Sequence, residues 1–167
     1  MSYFAGIDEK ERKLIPNETE VQAVIDSFSF KEARNGKKYI EIAFKITDGD
    51  FKNRKLWRTY WFDNETQKYD PKGLFYLVKV ACATHDIDFN LIKEDINNEQ
   101  DICSFLDQKH VALQVSVNSY ERADGEMAQV NRIAKIYKGV LPAPEPIEIE
   151  TENEVENELD LSDELPF

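Results

Sequence analysis

Cysteine is scarce in this chain of 167 residues: Cys82 and Cys103 are its only two, and only His85 and His110 could join them as metal ligands. A disulfide framework needs several cysteines, and a structural zinc site needs four ligands at closer, paired spacing. The sequence therefore argues against both. It predicts two buried free thiols in a reducing cytosol, with no metal and no cofactor.

Long apolar runs are also missing. No stretch reaches the roughly 18 apolar residues that a membrane-spanning helix requires. The N-terminal sequence MSYFAGIDEKERK turns charged by Asp8 and lacks the apolar core of a signal peptide. We expect a soluble protein without a membrane partner.

Basic residues are absent from the C-terminal end. The chain has 33 Asp and Glu against 21 Lys and Arg, a net charge of -12, which would normally argue against nucleic-acid binding. Residues 141–167 hold ten of the acids and no base, so residues 1–140 carry 23 acids against 21 bases, or -2. The 41% of hydrophobic residues can supply a core. We predict a folded domain over 1–140, and over 141–167 a proline-spaced linker followed by a disordered acidic tail.

The apolar pattern of residues 19–138 predicts a mainly β domain. Alternation predicts strands over 19–30, with a bulge or bend, and over 38–47, 55–63, 110–121 and 127–138. Asp70 as N-cap and Pro71 at the first helical position predict a helix of about four turns, and a second short helix is expected near 99–106. This order favours a five-stranded OB-fold-like Greek-key barrel with a helix between strands 3 and 4. The alternative is an α+β sandwich with the helix on one side of an open sheet.

Basic and aromatic residues concentrate on the second and third predicted strands. Residues 34–58 hold eight bases against three acids, a local balance of +5. Binding of single-stranded nucleic acid needs a cationic groove for phosphates and flat rings on which bases stack. The candidate residues are Arg34, Lys37, Lys38, Tyr39, Lys45, Lys52, Arg54, Lys55, Trp57, Arg58, Tyr60 and Trp61.

Two questions about these candidates stay open at the level of sequence. Large rings on a barrel strand often fill the core, and lysines at turns are often simply solvated. Trp57, Thr59 and Trp61 share one face of the third strand, and Leu56, Arg58, Tyr60 and Phe62 share the other. Arg58 favours exposure of the second face, but the sequence does not decide which face points inward.

The last nine residues, LDLSDELPF, combine acids with a terminal aromatic residue. A C-terminal Phe offers a ring and a carboxylate to an apolar pocket with a basic rim, and the nearby acids steer the encounter. The alternative is a merely solubilising tail. The predicted partner-binding tip consists of Asp160, Asp163, Glu164, Leu165, Pro166 and Phe167.

With this tip and the basic, aromatic strands, the chain resembles bacterial and phage single-stranded DNA-binding proteins, which join an OB-fold body to an acidic tail ending in Ile-Pro-Phe or a variant. The segments FKNRKLW (residues 51–57) and GLFYLVKVACATH (residues 73–85) also resemble small phage replication and recombination proteins. The resemblance implies a protein that coats ssDNA without sequence specificity in the cytoplasm of a bacterial host. It further implies recruitment of replication, recombination and repair enzymes through the tip, and allows a homo-oligomer.

Two rival functions remain at this stage. Asp26, Asp48, Asp50, Asp63 and Asp70 could in principle form a two-metal nuclease site, but most of them fall at turns or caps, where Asp is common for local reasons. No Gly-rich phosphate loop, HExxH or GxSxG motif occurs, so we expect no catalysis. The second rival is a protein-only adaptor or DNA mimic that acts through the acidic tail.

Overall fold

The computed structural model describes residues 13–142. The predicted acidic tail and its tip, apart from Leu141 and Pro142, lie outside these residues. The described part is mainly β, a six-stranded antiparallel sheet accompanied by three α-helices. None of the helices between residues 13 and 142 is long and apolar enough to cross a membrane.

The sheet has the strand order β4-β3-β2-β1-β5-β6, and every neighbouring pair is antiparallel. Three helices follow β4 along the chain and precede β5. The elements are β1 (Thr19–Glu32), β2 (Lys38–Ile46), β3 (Lys55–Asp63), β4 (Lys68–Tyr69), α1 (Pro71–His85), α2 (Phe89–Ile92), α3 (Glu99–Leu106), β5 (His110–Glu121) and β6 (Met127–Tyr137).

The five predicted strands and both predicted helices are confirmed, including the bulge in β1, where the pairing with β2 shifts between Ile25 and Ser27. The predicted count of five strands was wrong, because β4 adds a sixth. It consists of two residues only, paired with Phe62 and Asp63, and so has no alternation to reveal it. The helix α2 was also missed, because four residues are too few to show a helical repeat.

The core lies between the inner face of the sheet and α1. Along β2 the side chains of Ile40, Ile42, Phe44 and Ile46 are all buried, as the alternation predicted. Leu74, Leu77, Val78 and Ala81 recur at helical spacing on α1 and are buried in the same core cluster. The Asp70 carboxylate accepts a hydrogen bond from the Gly73 backbone N–H at 3.1 Å, which confirms the predicted N-cap.

Strands β3 and β6, from opposite halves of the sheet, approach each other without pairing. No ladder joins them within residues 13–142, so the described residues form an open sheet where the sequence favoured an OB-fold-like barrel. A cavity of about 350 Å³ lies between their edges, lined by Arg58 and Tyr60 from one strand and Lys135 from the other. Tyr76 of α1 spans part of it by donating a hydrogen bond to the Ile136 carbonyl at 2.8 Å.

The chain leaves the sheet beside the C-terminal end of α1. The Gly139 N–H donates to the Thr84 hydroxyl at 2.9 Å, and the Val140 N–H donates to the Gln22 side chain at 2.8 Å. A Cβ atom on Gly139 would lie 2.7 Å from the Val111 carbonyl carbon, so the backbone approach requires glycine. These contacts fix the point from which residues 143–167 depart.

His85 and His110 form a close pair at the end of α1. The His85 Nε2 atom accepts a hydrogen bond from the His110 backbone N–H at 2.8 Å, so His85 is neutral with its proton on Nδ1. Their ring centroids are 5.7 Å apart. Burial is the main cause that lowers the pKa of both imidazoles, and for His85 the charges of His110 and Lys109 lower it further.

This pair predicts a loss of stability in mild acid. Each imidazole has a folded-state pKa below the unfolded value of about 6.5, so the unfolded chain binds more protons in mild acid. The stability contributed by the neutral pair is therefore fully present above about pH 6.5 and is lost as the pH falls below it. Urea unfolding at pH 7.5 and 5.5 should show a lower midpoint at pH 5.5. The His85→Gln variant keeps an acceptor but cannot titrate, so its midpoint should depend less on pH. An equal pH dependence in both proteins would contradict the prediction.

Candidate nucleic-acid interface

The outer side of β2 and β3 carries an exposed aromatic surface. We call Tyr39, Trp57, Thr59 and Trp61 the aromatic face; Glu41 and the buried Ala43 lie on the same side of β2, opposite Thr59 and Trp57. Trp57 is 55% exposed and Trp61 is 43% exposed, whereas Leu56 and Tyr60 on the opposite side of β3 are buried. The structure thus settles the question that the sequence left open: the tryptophans point outward.

Neighbouring side chains hold the ring of Trp61 in place. Tyr39 lies directly opposite it in the β2–β3 ladder, with ring centroids 4.8 Å apart and planes tilted by 48°. The Lys37 Nζ atom lies 5.3 Å from the ring centroid, within cation–π range. A positively charged group therefore stands next to a ring on which a base could stack.

Trp57 has a different environment. Its cross-strand neighbour is Ala43, whose methyl group leaves the indole without an aromatic partner in the ladder. Trp61 is four positions after Trp57, which is about 13 Å along an extended strand. The face therefore presents two separate exposed rings, one isolated and one packed against Tyr39.

Two ion pairs neutralise acids near this face. The Lys31 Nζ atom is 2.7 Å from Glu41 Oε1, and the Lys55 Nζ atom is 3.0 Å from Asp26 Oδ2. The hydrogen bond with Glu41 is the main cause that raises the pKa of Lys31. Sequence reasoning missed Lys31, which the β1–β2 register places opposite Tyr39, and it counted Lys55 as an unpaired base. The register of the hairpin was the signal that could have located Lys31.

The other predicted bases cluster near the ends of β2. Arg34, Lys37 and Lys38 lie in or beside the β1–β2 turn and are exposed, as is Lys52 in the β2–β3 turn. Lys45 is half-buried and lies opposite Lys55 in the ladder. The bases that the structure brings together thus flank the aromatic face at both strand ends.

Three predicted site residues lie away from the aromatic face. Tyr60 is only 3% exposed and belongs to the core, where burial raises its pKa. Arg58 shares that inner side of β3 and lines the cavity towards β6. The Arg54 guanidinium donates a hydrogen bond to the Lys13 carbonyl at 2.8 Å and thereby holds the N-terminal segment. The expectation that Arg58 marks the exposed side of β3 was wrong, because the cavity accommodates its side chain.

Most of the aspartates considered for a nuclease site have local partners. Asp26 pairs with Lys55, Asp48 accepts from the Gln22 N–H, and Asp63 accepts from the Glu65 N–H. Asp70 caps α1. Across residues 13–142, no three His, Cys, Asp or Glu side chains converge in a way that could hold a metal ion.

The two thiols differ in burial. Cys82 is buried, as predicted, whereas Cys103 is half-buried. Burial raises the pKa of both, that of Cys103 to about 11.

No protein-family model matches the chain, and no curated protein matches it. Among solved structures, the chain is similar to yeast RPA bound to ssDNA, with 10% sequence identity, coverage of 73% of this chain and 77% of that chain, and a TM-score of 0.34.

Proposed function

We propose that this protein binds single-stranded DNA on the aromatic face, largely without sequence specificity. The observation that carries the proposal is the pair of outward tryptophans on β3, flanked by lysines at both ends of the strand pair. Stacking on rings accepts any base, and lysines at turns contact phosphates regardless of sequence. We further propose an OB-fold-like body, in which β1, β2, β3, β5 and β6 are the five barrel strands and the cavity marks incomplete closure between β3 and β6.

The expected energetics follow from these two contact types. Each stacked base contributes about 1 to 3 kcal/mol. Each neutralised phosphate contributes about -0.7 to the slope of log affinity against log salt concentration. The aromatic face, with its two stacking positions, would therefore bind strands with an affinity that falls steeply as salt rises.

The second part of the proposal concerns residues 141–167. We propose that this acidic segment is a tail whose tip, residues 160 and 163–167, recruits replication and recombination proteins in phage-infected bacteria. The chemistry that supports it is the aromatic ring of Phe167 next to Asp160, Asp163 and Glu164, in a segment that contains no base. Recruitment through the tip requires no change in the aromatic face, so the two activities should separate by mutation.

Titration with oligo-dT tests the binding proposal directly. The chain's two tryptophans both lie on the aromatic face, so quenching of their fluorescence reports on that face alone. Salt-reversible quenching is the expected result. Phe167→Ala should bind oligo-dT almost as the natural chain does. Absence of quenching and of any other sign of binding would reject the proposal and favour the protein-only adaptor.

The lysines at the strand ends predict a specific change in salt dependence. Replacing Lys37 and Lys52 with Ala should reduce the magnitude of the salt slope by about 1.4, because two phosphate contacts are lost. The matched control replaces Lys135 and Lys138, which lie on or just after β6, and changes the net charge equally. The measurement is oligo-dT affinity at several salt concentrations. Equal slopes for the two double variants would contradict a specific role for the strand ends.

A further inference from the structure

A second surface of the body, formed by the helices, has the features of a docking groove. We call the cavity of about 300 Å³ between α1, α2 and α3 the helical groove. Its wall includes the apolar side chains of Leu74, Phe75, Val78, Phe89, Ile96 and Ile102. Its volume is at the small end for ligand pockets, which suits one or two apolar side chains better than a cofactor.

Positive charge surrounds this apolar wall. Lys68 and Lys93 line the groove, together with one acid, Glu99. The Lys79 Nζ atom lies 4.9 Å from the Phe89 ring centroid and 5.9 Å from that of Phe75, so a third ammonium group stands over the wall. An occupant with an apolar end and negative charge beside it would match this arrangement.

The C-terminal tip of the same chain has this chemistry. Leu165 and Phe167 supply two apolar side chains, and the acids Asp163 and Glu164 directly precede them. The two carboxylates of the tip are thus opposite in sign of charge to the three lysines at the groove. No base in residues 141–167 opposes this attraction.

The tip is also tethered close to the groove. The chain leaves the body at Gly139, which is hydrogen-bonded to Thr84 near the end of α1. Leu74 of the groove lies ten residues earlier on the same helix, or about 15 Å along its axis. A flexible chain of 22 residues, the length of 143–164, has a typical end-to-end distance of about 25 Å, so a tip on such a tether would sample the groove at an effective concentration of order millimolar.

We propose that Leu165, Pro166 and Phe167 dock into the helical groove of their own chain. Docking buries the ring between α1 and α3 and places the carboxylates of Asp163 and Glu164 among the lysines. The groove then holds the tip in competition with partner proteins, and a partner must displace it. The competition with partners rests on the tip recruitment proposed above, whereas the docking itself rests on the helical side of the body and does not require that the aromatic face bind ssDNA.

Photo-crosslinking of the full chain tests the proposal. Phe167 is replaced by p-benzoylphenylalanine, the protein is irradiated at low salt and low concentration, and the crosslinked peptides are mapped. The expected crosslinks are intramolecular and fall within 71–78 or 89–102. Crosslinks only to the aromatic face, only between chains, or at scattered positions would overturn the proposal.

Charge reversal provides the matched comparison. Lys79→Glu combined with Lys93→Glu should reduce crosslinking several-fold, whereas Lys135→Glu combined with Lys138→Glu, with the same change in net charge, should not. As a second readout without a bulky probe, Phe167→Ala in the otherwise natural chain should shift the amide NMR signals of Gly73, Val78 and Ile102. Unchanged signals there would count against docking, whatever the outcome of the oligo-dT titration.

Discussion

Replacing both tryptophans of the aromatic face with Ala should weaken oligo-dT binding by about 2 to 6 kcal/mol, because two stacking positions are lost at about 1 to 3 kcal/mol each. The single variants Trp57→Ala and Trp61→Ala should each lose about half of this binding free energy. Fluorescence anisotropy of a labelled oligonucleotide is the appropriate measurement, because the double variant has no tryptophan left to report binding.

The chain contains well-matched controls for this experiment. Phe75 of α1 is 53% exposed, almost as much as Trp57, but lies on the helical side, so Phe75→Ala should leave oligo-dT affinity nearly unchanged. Tyr60→Phe should also have little effect, because the Tyr60 ring is in the core. Equal losses from Phe75→Ala and Trp57→Ala would show that stacking on the aromatic face is not the source of affinity.

The two tryptophans should also differ from each other. Trp61 is already packed against Tyr39 and near Lys37, so its ring needs little reorganisation to accept a base. Its removal also leaves Tyr39 available as a substitute platform. Trp57 has no such substitute opposite it, only Ala43. We therefore expect Trp57→Ala to cost at least as much as Trp61→Ala.

Local patterns explain why most of the fold could be predicted from the sequence. The alternation of Ile40, Ile42, Phe44 and Ile46 has one physical solution, a strand with one buried side. The Asp70 and Pro71 pair similarly marks the start of α1. These signals are contained in short stretches of chain, and the structure places the corresponding elements within one or two residues of the predicted ends.

The candidate site was harder to predict, because it depends on contacts between distant segments. The sequence pattern predicts that Arg54 is a free base in a turn. In the structure its guanidinium donates a hydrogen bond to the carbonyl of Lys13, which is 41 positions away in the sequence. Arg58, as a charged residue, predicted that its side of β3 is exposed. In the structure the side chain lies on the inner side of β3, where it lines the cavity between β3 and β6. Burial of Tyr60 and exposure of Trp57 follow from which side of β3 meets the core, and alternation alone cannot decide this.

The N-terminal segment before β1 shows the same limit. Nothing in the periodic pattern singled out Ile15, yet its side chain is fully buried in the main core. Its backbone is held by Asn131 of β6, which accepts from the Ile15 N–H at 2.8 Å and donates to the Ile15 carbonyl at 2.9 Å. Asn17 adds a further contact by accepting from the Val117 N–H at 3.0 Å. Residues 13–18 are therefore part of the packed body.

Ile15→Ala should destabilise the protein by about 2 to 5 kcal/mol, the cost of removing a fully buried aliphatic side chain. The free energy of unfolding in urea measures this loss. Leu91→Ala is the control, because Leu91 is 77% exposed and its truncation should change stability by no more than about 0.5 kcal/mol. Similar small effects from both substitutions would show that the segment is not packed in solution.

A double-mutant cycle then tests how the segment is held. Asn131→Ala leaves the Ile15 N–H and carbonyl without their partner and should cost about 1 to 3 kcal/mol. If the two hydrogen bonds and the buried side chain fix the segment together, the double variant should lose less than the sum of the single losses, because Asn131 holds little once Ile15 no longer packs. Strict additivity would mean that the side chain of Ile15 stays anchored through its packing alone, and that the Asn131 bonds contribute independently.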